Sequence, residues 1–445
     1  MFLEENDPQF QRIQLAFKKS TGVSTDTRTA SNGQLFFALK GENFNGNLYA
    51  AKALQAGCSA VVVDEDACIP EREERYILVP NALDALQSLA RWHRRKWTCP
   101  VIGMTGSNGK TTTKELIKCV LETAHSNVHA THGNLNNHIG VPLTLLAARN
   151  EPDVAIIEMG ANAQKEIALL AQIAEPNIAV ITNIGRAHLE GFGGEEGILK
   201  GKGELFDYML RERPEDPVFV HVAHPKLMGI SVDLKRHLYG DAGHPPFISS
   251  ALSEHTFAWT GPSGADHGPI EVNIPGNHNR ENIMTAIAIG LHCGATEAEA
   301  SRAVAEYTPT NNRSQWTVTE HNRLLLDAYN ANPSSMQAAL NSFKQLTSDA
   351  ALSTDAVCIL GDMAELGSFT ASAHEEILDL AIELGLRTYS VGPCFLRAAQ
   401  GRPAVQPFPD TPSAMAHFTD TPLTGKQILL KGSRSIALEG LVEVL

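Results

Sequence analysis

The densest chemistry in the chain lies in GMTGSNGKTTTKELI, residues 103–117. A phosphate loop of the form GxxxxGK[ST] would carry its first glycine five residues before the second, and here that position is Met104; the nearest glycine is Gly106. The loop still follows an apolar strand and opens a helix whose Leu116, Ile117, Val120 and Leu121 make one stripe, the setting a helix N-terminus needs to hold an anion. Thr105, Gly106, Ser107, Asn108, Gly109, Lys110, Thr111 and Thr112 are therefore read as nucleotide-binding. Backbone N–H groups around Gly106 to Lys110 would cradle phosphate oxygens, Lys110 would neutralise charge, and the Thr111 hydroxyl would face magnesium. Glu158 ends the apolar run AIIE, and His188 follows another such run by a few residues. Both belong at the strand ends where open α/β sheets bind ligands. Taken alone, one is a strand-end carboxylate and the other a polar loop residue.

The elements that must position these groups fall into three segments, and the expected fold is three-domain α/β. Residues 1–80 hold short β-like runs, QLFFALK, SAVVVDE and RYILV, with a helix AAKALQAG closed by Gly57, a small α/β domain. Residues 81–97, NALDALQSLARWHRRKW, read as a linker helix with a basic end. Residues 98–310 repeat strand-then-helix units around VIGMT, DVAIIEMG and NIAVITNIG. Such nearly continuous apolar strands suit a parallel sheet covered on both faces, a P-loop ATPase-like central domain. Residues 240–270 read as loops or short strands. Residues 311–445 repeat the pattern as a Rossmann-like domain with RLLLDAY, DAVCILGDM, RTYSVG and QILLKGS. There Asn332 and Pro333 are set as N-cap and first-turn proline, and a helix carrying Ile377, Leu380, Ala381 and Leu384 on one face stops at Gly385.

Composition excludes several classes. The 445 residues exceed one core, and 43% hydrophobic with 19% charged residues is globular usage. A net charge of -14 argues against nucleic acid or an anionic membrane surface as the main partner. No apolar run approaches the ~20 residues of a membrane span, and MFLEENDPQF lacks the pattern of a secretion signal. A cytoplasmic, monomeric protein is expected. Seven cysteines without ligand spacing read as reduced thiols.

The wording TGSNGKTTT resembles the Mur ligase family, and the resemblance runs nearly end to end. In order it includes STDTRTASNGQLFFALKGENFNG, THGNLNNHIGVPLTLL, AIIEMGAN, TNIGRAHLEGFG, KGKGELF, PGNHNRENIMTAIA, the arginine of NNRSQW, DAYNANPSSM, LGDMAELG and LLKGSR. The forms YNANPSS and GDMAELG are similar to the member that adds D-alanyl-D-alanine to UDP-N-acetylmuramoyl-tripeptide. The resemblance implies an ATP-dependent ligase working through an acyl phosphate, with the protein supplying positioning and charge. It implies two magnesium ions, held by Thr111, Glu158, His188 and a carbamylated Lys202, with Lys110, His188 and Lys202 catalytic. Asn282, with His278 and Asn279, would contact adenine and ribose, and Arg313 and Asp327 would reach in from the third domain. Tyr329, Asn330, Asn332 and Lys431 or Arg434 would hold the dipeptide; Thr25, Asp26, Arg28, the GENFNG loop and Asn137 would serve the nucleotide-sugar substrate. For Lys202, the residues alone also allow a solvated lysine in a glycine-bearing turn.

The chain departs from the family pattern where HVAHPKLM, residues 221–228, replaces an Asn-x-Asp-Asp stretch, where FNGN replaces FDGH, and where Lys165 replaces a glycine. None removes a residue assigned to phosphate or metal. A folate-type polyglutamate ligase should lack the STDTR and LFFALKG domain. A regulatory GTPase should carry an NKxD signature, which is absent, and a non-catalytic scaffold should have lost Lys110, Glu158 or His188.

Overall fold

Short apolar runs become parallel strands in the computed structural model, which describes residues 2–70, 73–253, 255–309, 313–347 and 356–445. The expected division at 310/311 and the first residue of DAVCILGDM lie outside these residues. Near the N-terminus, Val23–Ser24, Leu35–Phe37, Ala60–Val63 and Tyr76–Leu78 form a four-stranded parallel sheet. The helix Ala82–Arg94, capped by Asn81, leads to the second sheet. Its basic end ties the helix to the central domain. The buried Arg94 donates to the carbonyls of Ala174 and Glu175, while Arg91 and Arg95 pair with the Glu175 carboxylate.

The six-stranded central sheet is parallel throughout, in the order Arg236–Tyr239, Val218–His221, Ile178–Ile181, Val101–Thr105, Val154–Glu158, Val128–Ala130. Val101–Thr105, which feeds the glycine loop, sits between two strands that continue in opposite directions across the sheet, so their loops part above it and leave a crevice. One face packs on the helices Lys110–Leu121, Asn277–His292 and Glu297–Glu306. Met104 is fully buried in that core, so the residue at the missing Walker glycine is a strand side chain and not part of the loop.

Residues 240–270 contain more order than their composition suggests: Phe247–Ala251, Thr256–Thr260 and Asp266–Glu271 make an antiparallel sheet that buries Phe257 and Trp259. The third large sheet orders Gln315–Val318, Arg323–Asp327, Gln427–Lys431, Ala356–Gly361, Arg387–Val391 and Val405–Phe408, with only the first pair antiparallel. Asn332 caps the helix Pro333–Thr347 by accepting the Ser335 N–H at 3.0 Å, and Gly385 (φ 66°) ends Thr370–Glu383 as the pattern required.

Candidate active site

Carboxyl ends of the central and third sheets face a cleft of about 1050 Å³. Its floor is the glycine loop. Gly106 (φ 147°) and Gly109 (φ 77°) hold backbone conformations that side chains avoid, and a Cβ on Gly109 would lie 2.5 Å from Asn282 Oδ1. The loop is tied from beneath: Asn108 N–H donates to Asn183 Oδ1 at 3.0 Å, and Ser107 Oγ donates to Gly185 O at 2.9 Å. Thr105 instead turns its hydroxyl to Met159 O at 2.7 Å, and neither it nor Gly106 lines the cleft.

Lys110 is the first residue of its helix, half-buried in the cleft lining. Its ammonium folds back to donate to Gly106 O at 2.7 Å and Ser107 O at 3.3 Å. Burial lowers its pKa, with Arg313 acting in the same direction and Glu158 opposing. Glu158, 1% exposed, accepts from Thr111 Oγ1 at 3.2 Å and from Asn136 Nδ2 at 2.8 Å, both through Oε1. Its Oε2 is buried without a partner. A desolvated carboxylate oxygen beside a threonine hydroxyl is an oxygen donor set suited to a hard cation. Asn136, which the sequence reading did not single out, thus touches this carboxylate; Asn137, expected to bind substrate, lines the cleft and accepts the Ile139 and Gly140 N–H groups. The GNLNN stretch offered both asparagines, and spacing could not choose between them.

Lys202 is not in a solvated turn. It lies inside the helix Glu195–Glu212, fully buried, donating to Ala161 O at 2.9 Å with its Nζ 4.9 Å from the centre of the Phe192 ring. Burial, aided by the Lys110 charge, holds its pKa well below the ordinary lysine value. It lies behind the cleft surface. His188 lines the cleft, and its Nδ1 meets the Glu365 carboxylate of the C-terminal segment. That contact, set against burial, keeps the Glu365 carboxyl below its ordinary value.

At the far end of the cleft, the Asn282 carboxamide accepts from Thr113 Oγ1 at 3.1 Å and donates to Asn279 Oδ1 at 3.0 Å. Asp327 stands at the end of its strand, 2.6 Å from Lys431 Nζ. The Arg313 guanidinium lies over the Tyr329 ring at 3.9 Å and that of Arg434 at 5.6 Å, though Arg434 itself is outside the cleft lining. Asn330 and Asn332 line the wall, and Asn332 Nδ2 donates across to Asn108 Oδ1 at 2.7 Å. Thr25 and Arg28 sit away from this cleft, beyond the strand Val23–Ser24 of the first sheet. The Arg28 fork is closed on Asp26, 2.6 Å from Nη2 to Oδ2.

Among the described residues, Asp362, His374 and Cys394 also converge. They form a closed structural knot. The Asp362 oxygens accept the Cys394 and Phe395 N–H groups, and the His374 nitrogens meet Met363 N and Thr370 O.

Residues 19–94, 104–290 and 312–434 match in turn the Mur ligase family catalytic domain, the Mur ligase middle domain and the Mur ligase glutamate ligase domain. Over 95% of this chain, 34% of residues are identical to the UDP-N-acetylmuramoyl-tripeptide–D-alanyl-D-alanine ligase of Bacillus subtilis strain 168, 92% of which is covered. The chain belongs to the Mur ligase family. The ligase of the same name from Escherichia coli K12 is 33% identical, covering 95% of this chain and 93% of that one. The crystal structure of MurF from Acinetobacter baumannii superposes with a TM-score of 0.85 at 29% identity, covering 97% of this chain and 98% of that one. The fold is thus the three-domain α/β arrangement of the Mur ligases. No helix among the described residues is long and apolar enough to cross a membrane.

Proposed function

We propose that this Mur ligase is a cytoplasmic, monomeric enzyme that joins D-alanyl-D-alanine to UDP-N-acetylmuramoyl-tripeptide at the expense of ATP, yielding the pentapeptide precursor of peptidoglycan. The observation that carries the reading is the meeting of the phosphate loop with the Tyr329 to Asn332 wall in one cleft, in a chain 34% identical to a ligase of that name.

In this reading the tripeptide carboxylate attacks the γ-phosphorus of ATP; an oxygen–phosphorus bond forms and ADP leaves. The neutral amine of the dipeptide then attacks the acyl carbon; a carbon–nitrogen bond forms, the carbon–oxygen bond to phosphate breaks, and phosphate departs with one proton released from the nitrogen to solvent. Loop N–H groups and Lys110 hold the phosphates, so charge developing on their oxygens meets donors already in place. Arg313 supports them from the third domain, Asn282 and Asn279 hold the base, and Asp327, fixed by Lys431, takes the ribose. With the Lys431 ammonium engaged there, Arg434 is left to take the dipeptide carboxylate, beside Tyr329, Asn330 and Asn332. Thr25, Arg28 and Asn137 serve the nucleotide-sugar substrate, for which the Arg28 fork must exchange Asp26 for phosphate.

Glu158 and Thr111 fit magnesium because the carboxylate has a buried oxygen without a partner. Bound there, magnesium would screen the triphosphate. We assign a second ion to His188 and a carbamylated Lys202. The buried amine favours its neutral form, which attacks carbon dioxide to give a carbamate and one released proton. Carbon-13 bicarbonate should then give a carbamate NMR signal that Lys202→Ala lacks. It should persist below the pH at which an exposed lysine is wholly protonated, because the depressed pKa keeps the reactive amine populated. A fully active enzyme without that signal would exclude the modification. For the reaction, phosphate release from ATP with UDP-N-acetylmuramoyl-tripeptide should require D-alanyl-D-alanine; equal release with glutamate and a folate would overturn the assignment.

A further inference from the structure

None of the roles above uses GDMAELG, yet one of its residues reaches across the seam between the central and third sheets. Glu365 meets His188 Nδ1 through Oε2, and its backbone carbonyl accepts the Glu190 N–H at 3.3 Å. Both side chains line the cleft. His188 (φ 56°) and Glu365 (φ 60°) each hold a left-handed backbone, which residues other than glycine keep only where their surroundings impose it. Two residues on, a Cβ on Gly367 (φ 54°) would stand 3.1 Å from the Glu190 side chain. The two turns are thus shaped to each other.

A carboxylate only accepts, so the proton of the neutral imidazole sits on Nδ1, and Nε2 keeps its lone pair. Histidines that ligate metals are commonly oriented in this way by a carboxylate on the other nitrogen. We infer that Glu365 is a positioning residue, which fixes the tautomer and orientation of His188 from the C-terminal domain so that the ring is aimed only while that domain is docked. This rests on the reading of His188 as a magnesium ligand. It also gives a nitrogen ligand, unusual for this cation, the one ring state able to serve.

The test uses full-length Glu365→Ala, Glu365→Gln and His188→Ala. Nitrogen-15 NMR of the protein closed by an ATP analogue and the UDP substrate, without magnesium, should show the Nδ1–H tautomer of His188 in the wild type and in Glu365→Gln, whose amide oxygen still accepts. In Glu365→Ala it should show a mixture. The kcat of Glu365→Ala should fall about 10- to 100-fold with little change in KM for the UDP substrate, and Glu365→Gln should recover most of it. Should the alanine variant fold poorly, the near-isosteric glutamine variant still reads the tautomer. A wild-type tautomer and kcat in Glu365→Ala, with His188→Ala inactive, would overturn the positioning role alone. Full activity in His188→Ala would overturn the ligand reading and this role with it.

Discussion

Lys110 and Glu158 are held by few bonds and stand side by side with the glycine loop at the floor of the cleft, so their substitution separates activity from stability. Among the described residues, the Lys110 ammonium bonds only to the Gly106 and Ser107 carbonyls of its own loop. Lys110→Ala is expected to lower kcat by at least ~100-fold, the scale of losing one preorganised charge contact, while the melting temperature stays near the wild type. Near-normal turnover in ligation assays would refute the phosphate role. Glu158→Gln keeps the shape and still accepts from Thr111 and Asn136, but removes a desolvated charge with one oxygen unpartnered. We expect the magnesium needed for half-maximal activity to rise with no drop in apo melting temperature, since a buried carboxylate oxygen without a partner costs stability. An unchanged magnesium titration would remove Glu158 from the metal site.

Elements act here through their ends. The helix Pro333–Thr347 begins at Asn332, whose oxygen caps Ser335 and whose amide crosses to Asn108 in the phosphate loop. Asn332→Ala should cost about 1 kcal/mol through the lost cap and also raise KM for ATP through the lost tie. Asn332→Asp keeps the cap, and the Asn108 amide can flip to donate to it, so both values should stay nearer the wild type. Denaturant unfolding and ATP kinetics on the pair check this; equal KM in both variants would make the Asn108 bond incidental.

Across the whole molecule, polar contacts join the central and third domains alongside apolar packing: Asn108 with Asn332, the Arg186 N–H with Ser334 Oγ at 2.9 Å, Arg186 with Glu376 at 2.8 Å, and His188 with Glu365. Polar interdomain contacts of this kind permit relative motion. Small-angle scattering should therefore show a larger radius of gyration without ligands than with ATP analogue and UDP substrate together. Arg186→Ala, which removes two partly exposed ion pairs, to Glu376 and Glu195, should alter stability by less than about 1 kcal/mol. An identical radius in both states would mean that the seam stays shut.

Sequence by itself determined the strands nearest the loop, the loop and its helix, because apolar runs and a Gly-Ser-Asn-Gly-Lys-Thr turn are local in the chain. It marked Glu158 and His188 as strand-end groups for the same reason. Only the tertiary structure decided which side chains those groups meet. Burial of Lys202 inside a helix, the partnerless Glu158 oxygen beside Asn136, the closure of Arg28 on Asp26, and the reach of Glu365 to His188 depend on contacts formed in the fold. Several of these contacts join residues far apart in sequence, 177 positions apart for His188 and Glu365. No periodicity registers such a pair, because solvent exclusion and pairing are set by the packing of whole sheets and helices, and not by neighbours along the chain.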